Sequence, residues 1–435
     1  MFSLLFFSLA SAASKFVNTD IQRQYSINQN LITVTVTAEV TNKGDQSARE
    51  YTFSVTPREA QYIGHTTASF IRKNARSFEN SLKITNNGNN FIVDLNREVA
   101  PGESFTIFFA YTLGDYFRFV RQKVSLNQKM QLYFATSRYY NSPYETLKST
   151  IHIKGISKGQ ILKKTEDPEL TVQTNLIKLS VDHSEINDNN KNDLFEVEFQ
   201  TSGSLPRIDV INSRTVVSHW GKTKQSAFYS ITNAGPKFVG EFNRIDFTQQ
   251  SPCYLQNLDM RPPSGSYNFW ASDESGLLQK DMYLHGDSLE IPLRGPMLSS
   301  WKATFTVGWT IDTAKFVSGH YTYTAPLLTP FITAPVTEAT AEIILPEGAK
   351  VKNVSVPVDA NVTQLTEVHN LDFNGRVVIR IEIDNLSSED IVPIKIDYSL
   401  DYSYNFLKIL LLGSAFSVFF CGIAIFRRLD FSIKV

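Results

Sequence analysis

The side chains with most to offer a chemical reaction or a bound ligand lie between Ile208 and Phe247. There Arg214, His219, Trp220 and Arg244 are set among strand-like segments. These polar and aromatic types are the ones a binding site uses. Taken singly, each also has a structural reading: Trp is usually buried, so Trp220 would cap a core, and His219 would hydrogen-bond a neighbouring loop. Asp273 and Glu274 could be paired acids for proton transfer, but the Ser-Gly that follows them fits a turn better. Cys253 follows Pro252 in a loop with no evident base beside it, which reads as a free structural thiol rather than a nucleophile. His65, His152, His183, His219, His285, His320 and His369 are scattered singly, with no pair at helical spacing to hold a metal. HExxH, GxSxG, Walker and CxxC patterns are absent. The expectation is no catalytic residue, no cofactor and no metal site. Asn353-Val-Ser355, Asn361-Val-Thr363 and Asn385-Leu-Ser387 are N-glycosylation acceptor sequences, which makes Asn353, Asn361 and Asn385 candidate glycan sites.

The elements that must position these groups are strands. Ile32, Val34, Val36, Ala38 and Val40 alternate with Thr33, Thr35, Thr37 and Glu39, a period of two. Phe195, Val197 and Phe199 alternate with acids and Gln200; Trp301, Ala303, Phe305, Val307 and Trp309 with Lys and Thr; Ile379, Ile381 and Ile383 with Arg380, Glu382 and Asp384. Asn87-Gly88 is the turn of a hairpin, and Asn374-Gly375 is a turn just before the last of these strands. The pattern predicts a mainly β protein of two tandem β-sandwich-like domains, each sheet with one wet face. Asp182 to Asp193, polar and rich in Asn and Asp, is the expected linker; a solvated loop within one domain is the alternative. Ser251 to Ser266, rich in proline, should cross a face of the second domain.

Two apolar runs place the chain in a membrane. Phe406 to Phe426 carries one charge, Lys408, and as a helix would extend about 31 Å, enough for a hydrocarbon core. Lys408 would snorkel to the near interface, Tyr402 and Tyr404 would join an interfacial belt, and Arg427 and Arg428 mark a cytosolic side. Met1 to Ala13 resembles a signal peptide ending in Ala10-x-Ala12, although it has no basic residue. The expected organisation is a signal peptide at 1–13, β-rich domains at 14–190 and 194–403, a span at 406–426 and a short cytosolic tail at 427–435. Within the span, Gly413, Ser414, Ala415 and Gly422 are the small residues at which a partner helix could pack. With 42 Lys+Arg against 43 Asp+Glu the net charge is −1, so no basic excess points to nucleic acid. Cys253 and Cys421 lie on different sides of the span boundary and cannot readily pair. The 31 Phe, 18 Tyr and 4 Trp must hold the domains together without a disulfide.

Several motifs resemble those of a known family. Val217-Ser-His-Trp-Gly221 is followed by Asn233-Ala-Gly235 and Gly240-Glu-Phe-Asn-Arg-Ile-Asp246, and then by Phe269-Trp-Ala-Ser-Asp-Glu-Ser-Gly276. Pro292-Leu-Arg-Gly-Pro-Met-Leu-Ser-Ser-Trp-Lys302 and Ser142-Pro-Tyr144 complete the set. Together they are similar to the ribophorin I family, with His219, Trp220, Gly221, Arg244 and Trp301 as signature residues. The chain departs from the pattern at Ala271 and Ser272, and at Ser299-Ser300, where the family has two glycines. The resemblance implies two lumenal β-rich domains on a single type I helix in the endoplasmic reticulum membrane. It implies a non-catalytic subunit of the oligosaccharyltransferase complex, which transfers a lipid-linked oligosaccharide to Asn of N-x-S/T acceptors. The implied partners are the other subunits, including the multi-spanning catalytic one, membrane lipids, nascent acceptor polypeptide and the translocation channel. A type I receptor or adhesion ectodomain is the alternative, distinguished by surface delivery. A zinc aminopeptidase is disfavoured by the missing HExxH.

Overall fold

The computed structural model describes residues 16–428 apart from 75–76, 78–80, 127, 186–191, 220, 242–243, 246, 248–252, 279–281, 320, 330, 332–333, 370–371, 388–391 and 402. The expected signal peptide, Trp220, Pro252, His320, Tyr402 and most of the tail lie outside the described residues. Alternation becomes sheet as expected. Ile32, Val34, Val36, Ala38 and Val40 are buried along Leu31–Asn42, which pairs antiparallel with Phe16–Asn28 on one side and Ser104–Gly114 on the other. Gly88 (φ +67°), in the turn between Asn87 and Asn90, and Gly375 (φ +76°), at the end of the 368–375 connection, both adopt the left-handed region that glycine tolerates.

The architecture is two β units of the same topology. Across the large sheet of the first, the strand order is Leu170–Val172, Leu176–Asp182, Lys148–Lys154, Phe16–Asn28, Leu31–Asn42, Ser104–Gly114 and Ile63–Ser69. Across that of the second it is Asn361–Glu367, Arg376–Ser387, Pro335–Ile344, Pro206–Val216, Lys222–Asn233, Lys302–Asp312 and Tyr267–Asp273. In each, the third and fourth strands are parallel and every other neighbouring pair antiparallel. Each unit also has a three-stranded sheet, centred on Asn90–Val99 or Ser288–Leu298. Each has a four-stranded one, centred on the pairs Leu194–Thr201 with Met130–Ser137 and Pro393–Leu400 with Thr322–Pro326.

The correspondence reaches single hydrogen bonds. Asn42 and Asn233, both fully buried, end equivalent strands. Asn42 Nδ2 donates to the Val99 carbonyl (2.9 Å) and Asn233 Nδ2 to the Met297 carbonyl (3.1 Å). The Asn42 carbonyl accepts from Gly102 N (2.7 Å) and the Asn233 carbonyl from Ser300 N (2.8 Å). Thr41-Asn42-Lys43-Gly44 and Thr232-Asn233-Ala234-Gly235 are therefore one motif used twice.

The units do not divide where the Asn/Asp-rich segment suggests. Val181 before it and Phe195, Val197 and Phe199 after it all belong to the first core, and Leu194–Thr201 pairs with Met130–Ser137. Alternation restarts at Phe195 because that strand completes the first unit. The core changes between Leu205 and Ile208, so a boundary at 190–194 is corrected to that point. Tyr25, Tyr51, Phe53, Phe109 and Phe134 are fully buried in one core, and Tyr229, Phe331, Tyr323 and Tyr398 in the other. At roughly 2 kcal/mol for each buried large side chain, such packing accounts for stability without a disulfide. Ser403–Phe426 forms one helix, and its Phe406–Phe426 stretch is long and apolar enough for a single membrane span.

Candidate functional site at the junction of the two units

The hairpin between Pro206–Val216 and Lys222–Asn233 carries the His-Trp-Gly segment. Val217 is buried, and its amide donates to the Ile344 carbonyl (2.9 Å). The Ser218 carbonyl accepts from Thr313 Oγ1 (2.7 Å) and the Gly221 carbonyl from Thr313 N (3.0 Å). Gly221 sits at φ +103°, where a side chain would be strained. A ring nitrogen of His219 shares a 2.8 Å hydrogen bond with the Tyr398 hydroxyl, and the imidazole packs edge-on against Tyr321 and Tyr398. Burial lowers the His219 pKa and favours the neutral ring. His219 thus fastens a hairpin to the four-stranded sheet.

The Asn-Ala-Gly segment ties the units together. Asn233 Oδ1 accepts from Leu205 N (3.0 Å), at the end of the first core, while Ala234 N donates back to the Leu205 carbonyl (2.7 Å). A Cβ on Gly235 would stand 2.2 Å from Ser299 Oγ and 2.7 Å from Met130 Sδ of the first unit, so any larger residue must displace these side chains. Two residues on, Lys237–Phe238 pairs in parallel with Lys123–Val124 of the first unit. Trp301, 42% exposed, meets Phe238 edge-on. Ser299 Oγ donates to the Pro236 carbonyl (2.6 Å), and Ser300 adopts φ +67°, a conformation its first-unit counterpart Gly102 (φ +80°) adopts without strain. Cys253 is buried in the first core with Sγ 3.6 Å from the Thr201 carbonyl, and burial raises its thiol pKa, as suits a structural thiol.

The remaining candidates are dispersed. Arg214 holds Glu367 through Nη2 (2.5 and 2.6 Å) and Glu342 through Nη1 (3.3 Å), on the outer face of the second sheet. Arg244 is exposed in a helical turn. Asp273 accepts from Ser275 N in the expected turn and pairs with Arg294 through both oxygens. Asn353 and Asn361 are exposed on strands, and Asn385, at φ +54°, lines a cleft of about 430 Å³ between the units. Arg207 bridges that cleft, donating to Asp115 (2.6 Å) and Asp209 (2.7 Å). No group of three or more potential metal ligands occurs among the described residues.

Ser142 and Tyr144 border a cavity of about 720 Å³ that Arg58, Tyr139, Tyr140 and His183 also line. Both make structural bonds: Ser142 Oγ accepts from Asn18 Nδ2 (3.1 Å), and the Tyr144 hydroxyl accepts from Thr52 N (3.1 Å). Burial, with the nearby Arg23 guanidinium adding to it, pushes the His183 imidazole down to about 4. Between that value and the ordinary histidine range the unfolded chain binds a proton that the folded chain does not. Stability should therefore decline as pH falls from about 6.5 towards 4, then level off for this group. Melting curves at pH 7 and 4.5 should show a smaller drop for His183→Gln than for the wild type.

One cluster has no sequence motif to announce it. Lys408, expected to snorkel into the interface, instead reaches into the second unit. Its Nζ lies 2.8 Å from Asp372 Oδ1 and 2.5 Å from Glu347 Oε2, both carboxylates being essentially inaccessible. Arg376 pairs with Asp372 from the other side (3.0 Å). Burial works against the charge on both acids, but hydrogen bonds from Lys408 outweigh it, helped by backbone amides at Glu347 and by Arg376 at Asp372. Each carboxyl is held below its usual pKa. Tyr404 accepts a hydrogen bond from Asn374 Nδ2 (2.7 Å). In the helix beyond, the four small residues do not form one stripe: at about 100° per residue, Ala415 and Gly422 share a face and Gly413 points away from it.

The sequence profile of ribophorin I matches residues 16–427, nearly the whole described chain. The chain belongs to the ribophorin I family. It is 21% identical to dolichyl-diphosphooligosaccharide–protein glycosyltransferase subunit 1A of Arabidopsis thaliana, over 97% of this chain and 72% of that one. Subunit 1B of Oryza sativa subsp. japonica is 22% identical over 95% of this chain and 91% of its own, and subunit 1 of Caenorhabditis elegans 21% over 100% and 76%. Among solved structures, an M1 zinc metallopeptidase from Deinococcus radiodurans aligns with a TM-score of 0.24 at 10% identity, covering 46% of this chain and 44% of that one, too slight a likeness to carry an argument. Of the signature residues that the structure describes, His219 and Gly221 hold a hairpin within the second unit, Trp301 meets Phe238 and Arg244 is exposed.

Proposed function

We propose that the chain is a non-catalytic subunit of an oligosaccharyltransferase, a complex that moves an oligosaccharide from a dolichyl diphosphate to Asn of N-x-S/T acceptors. The observation that carries this is the family match across both β units and into the helix, residues 16–427. Two units tied through Asn233 and the Lys237–Phe238 pairing, and carried by an apolar helix, suit a scaffold. Arg207 at the junction and His219 within the second unit are engaged in structural bonds, which suits an accessory role. In this reading the β units lie in the lumen of the endoplasmic reticulum. The helix contacts lipid and the spans of the catalytic, multi-spanning subunit, with Ala415 and Gly422 on one side and Gly413 and Ser414 as separate points of close approach. Sheet edges such as Asn361–Glu367 would hold extended nascent polypeptide as it leaves a translocation channel. Asn353, Asn361 and Asn385 would carry glycans.

Depletion of the chain tests both levels of the proposal. Loss of glycosylation on a subset of acceptors, with the rest of the complex still assembled, is expected if the β units hold acceptor chains. Loss only through disassembly would leave the scaffold role and overturn acceptor holding. Unchanged glycosylation would overturn both.

A further inference from the structure

The turn that joins Asn361–Glu367 to Arg376–Ser387 presents apolar side chains to solvent beside the start of the apolar helix. Val368 is 70% exposed and Phe373 46% exposed. The turn is tied to the helix on both of its first two turns. Asn374 reaches Tyr404, Asp372 takes Lys408, and Glu347, the lysine's other partner, accepts hydrogen bonds from Phe373 N (2.6 Å) and Asn374 N (3.0 Å). Phe373, between Asp372 and Asn374, is therefore held beside residues 404–408 at the mouth of the span, and Val368 lies close by against Gly375. The acids there are matched by Lys408 and Arg376, so the turn brings no unpaired carboxylate with it.

We propose that Val368 and Phe373 form a lipid-contacting surface, inserted in the interfacial layer of the leaflet facing the β units. The proposal rests on reading Phe406–Phe426 as a span. It also fixes where hydrocarbon begins. Lys408 is held by protein rather than by lipid headgroups, so the apolar stretch available to the bilayer starts at Ile409. The remaining helix to Phe426 covers about 27 Å, the thickness of an endoplasmic reticulum bilayer rather than the thicker plasma membrane. Seated in this way, the second unit rests directly on the membrane surface, with its tilt limited by the lysine clamp and the inserted turn together.

The test uses the full chain in phosphatidylcholine nanodiscs, with the environment-sensitive dye NBD on single cysteines. Native Cys421 in the span reports the bilayer; Val368→Cys and Phe373→Cys, each with Cys421→Ser, report the turn; Val362→Cys in the same background reports the exposed strand beyond it. Cys253 is buried. The expected result is blue-shifted emission at positions 368 and 373, quenched strongly by lipids with a shallow nitroxide. Position 421 should be quenched by deep nitroxides and position 362 by neither. Water-like emission at both turn positions with a protected 421 label overturns the lipid surface and leaves the span intact. A water-like 421 label overturns the span reading itself. Protection at 368 and 373 that persists in detergent without nitroxide quenching in lipid would assign the turn to protein contact and also overturn the proposal.

Discussion

Replacing Lys408 with methionine is expected to lower the stability of the folded chain by about 3 kcal/mol at neutral pH, because it strands a buried carboxylate. The Glu347 side chain is 1% exposed and that of Asp372 inaccessible, while the Lys408 side chain is only 21% exposed. Asp372 would keep Arg376, but Glu347 would retain only the amides of Phe373 and Asn374. The pH dependence gives the mechanism away. In the wild type both acids have depressed pKa values, so their contribution is complete above the ordinary carboxylate range and is lost as pH falls below about 4, through the folded values. Without the lysine, burial is left to raise the pKa of Glu347 instead. The deficit of Lys408→Met should therefore be greatest at pH 7 and shrink towards pH 4, and adding Glu347→Gln should restore part of it at pH 7. Denaturant titrations in micelles at the two pH values measure this. A deficit that does not change with pH would mean that the lysine acts through packing alone.

Asn233→Ala should cost a similar amount, about 3 kcal/mol, through two buried backbone groups left without partners, the Leu205 amide and the Met297 carbonyl. Its particular effect should be on how the two units unfold together. Leu205 is the last core residue of the first unit, and Asn233 is its tie to the second. The variant should accordingly show faster proteolysis between Thr201 and Pro206 under native conditions. Asn42→Ala removes the equivalent bond to Val99, with bonds to the Gln46 carbonyl and from Gly44 N, all inside the first unit, and should cost a comparable amount without opening that segment. Equal proteolysis of the two variants would contradict the junction role of Asn233.

Much of the fold is legible in the sequence because period-two alternation is a direct imprint of half-buried strands. The run at 32–40, the Asn-Gly turns at 87–88 and 374–375 and the apolar helix all form where the pattern puts them. The boundary at 190–194 fails because a polar segment marks solvent, and solvent also lies between two strands of one unit. Only the partner of Phe195, Val197 and Phe199 decides which core they join, and that pairing is non-local. The duplication was within reach in Thr-Asn-x-Gly at 41–44 and 232–235, a repeat too short to stand out before its hydrogen bonds are seen. The clamp on Lys408 carried no signal: its acids lie 36 and 61 positions away in sequence, and a lysine near the end of an apolar run reads as a membrane-boundary residue. The Asn233-Ala-Gly235 motif is legible, but not as a junction, since the close approach at Gly235 depends on Met130 of the other unit.

The most direct test of the subunit assignment is purification of the tagged full chain from microsomes in mild detergent, with the eluate assayed for oligosaccharide transfer to an N-x-T peptide. The expected result is a multi-subunit, active complex. Recovery of the chain alone and inactive, while transfer activity stays intact and untagged in the extract, would contradict the assignment and favour a receptor-type ectodomain built on the same fold.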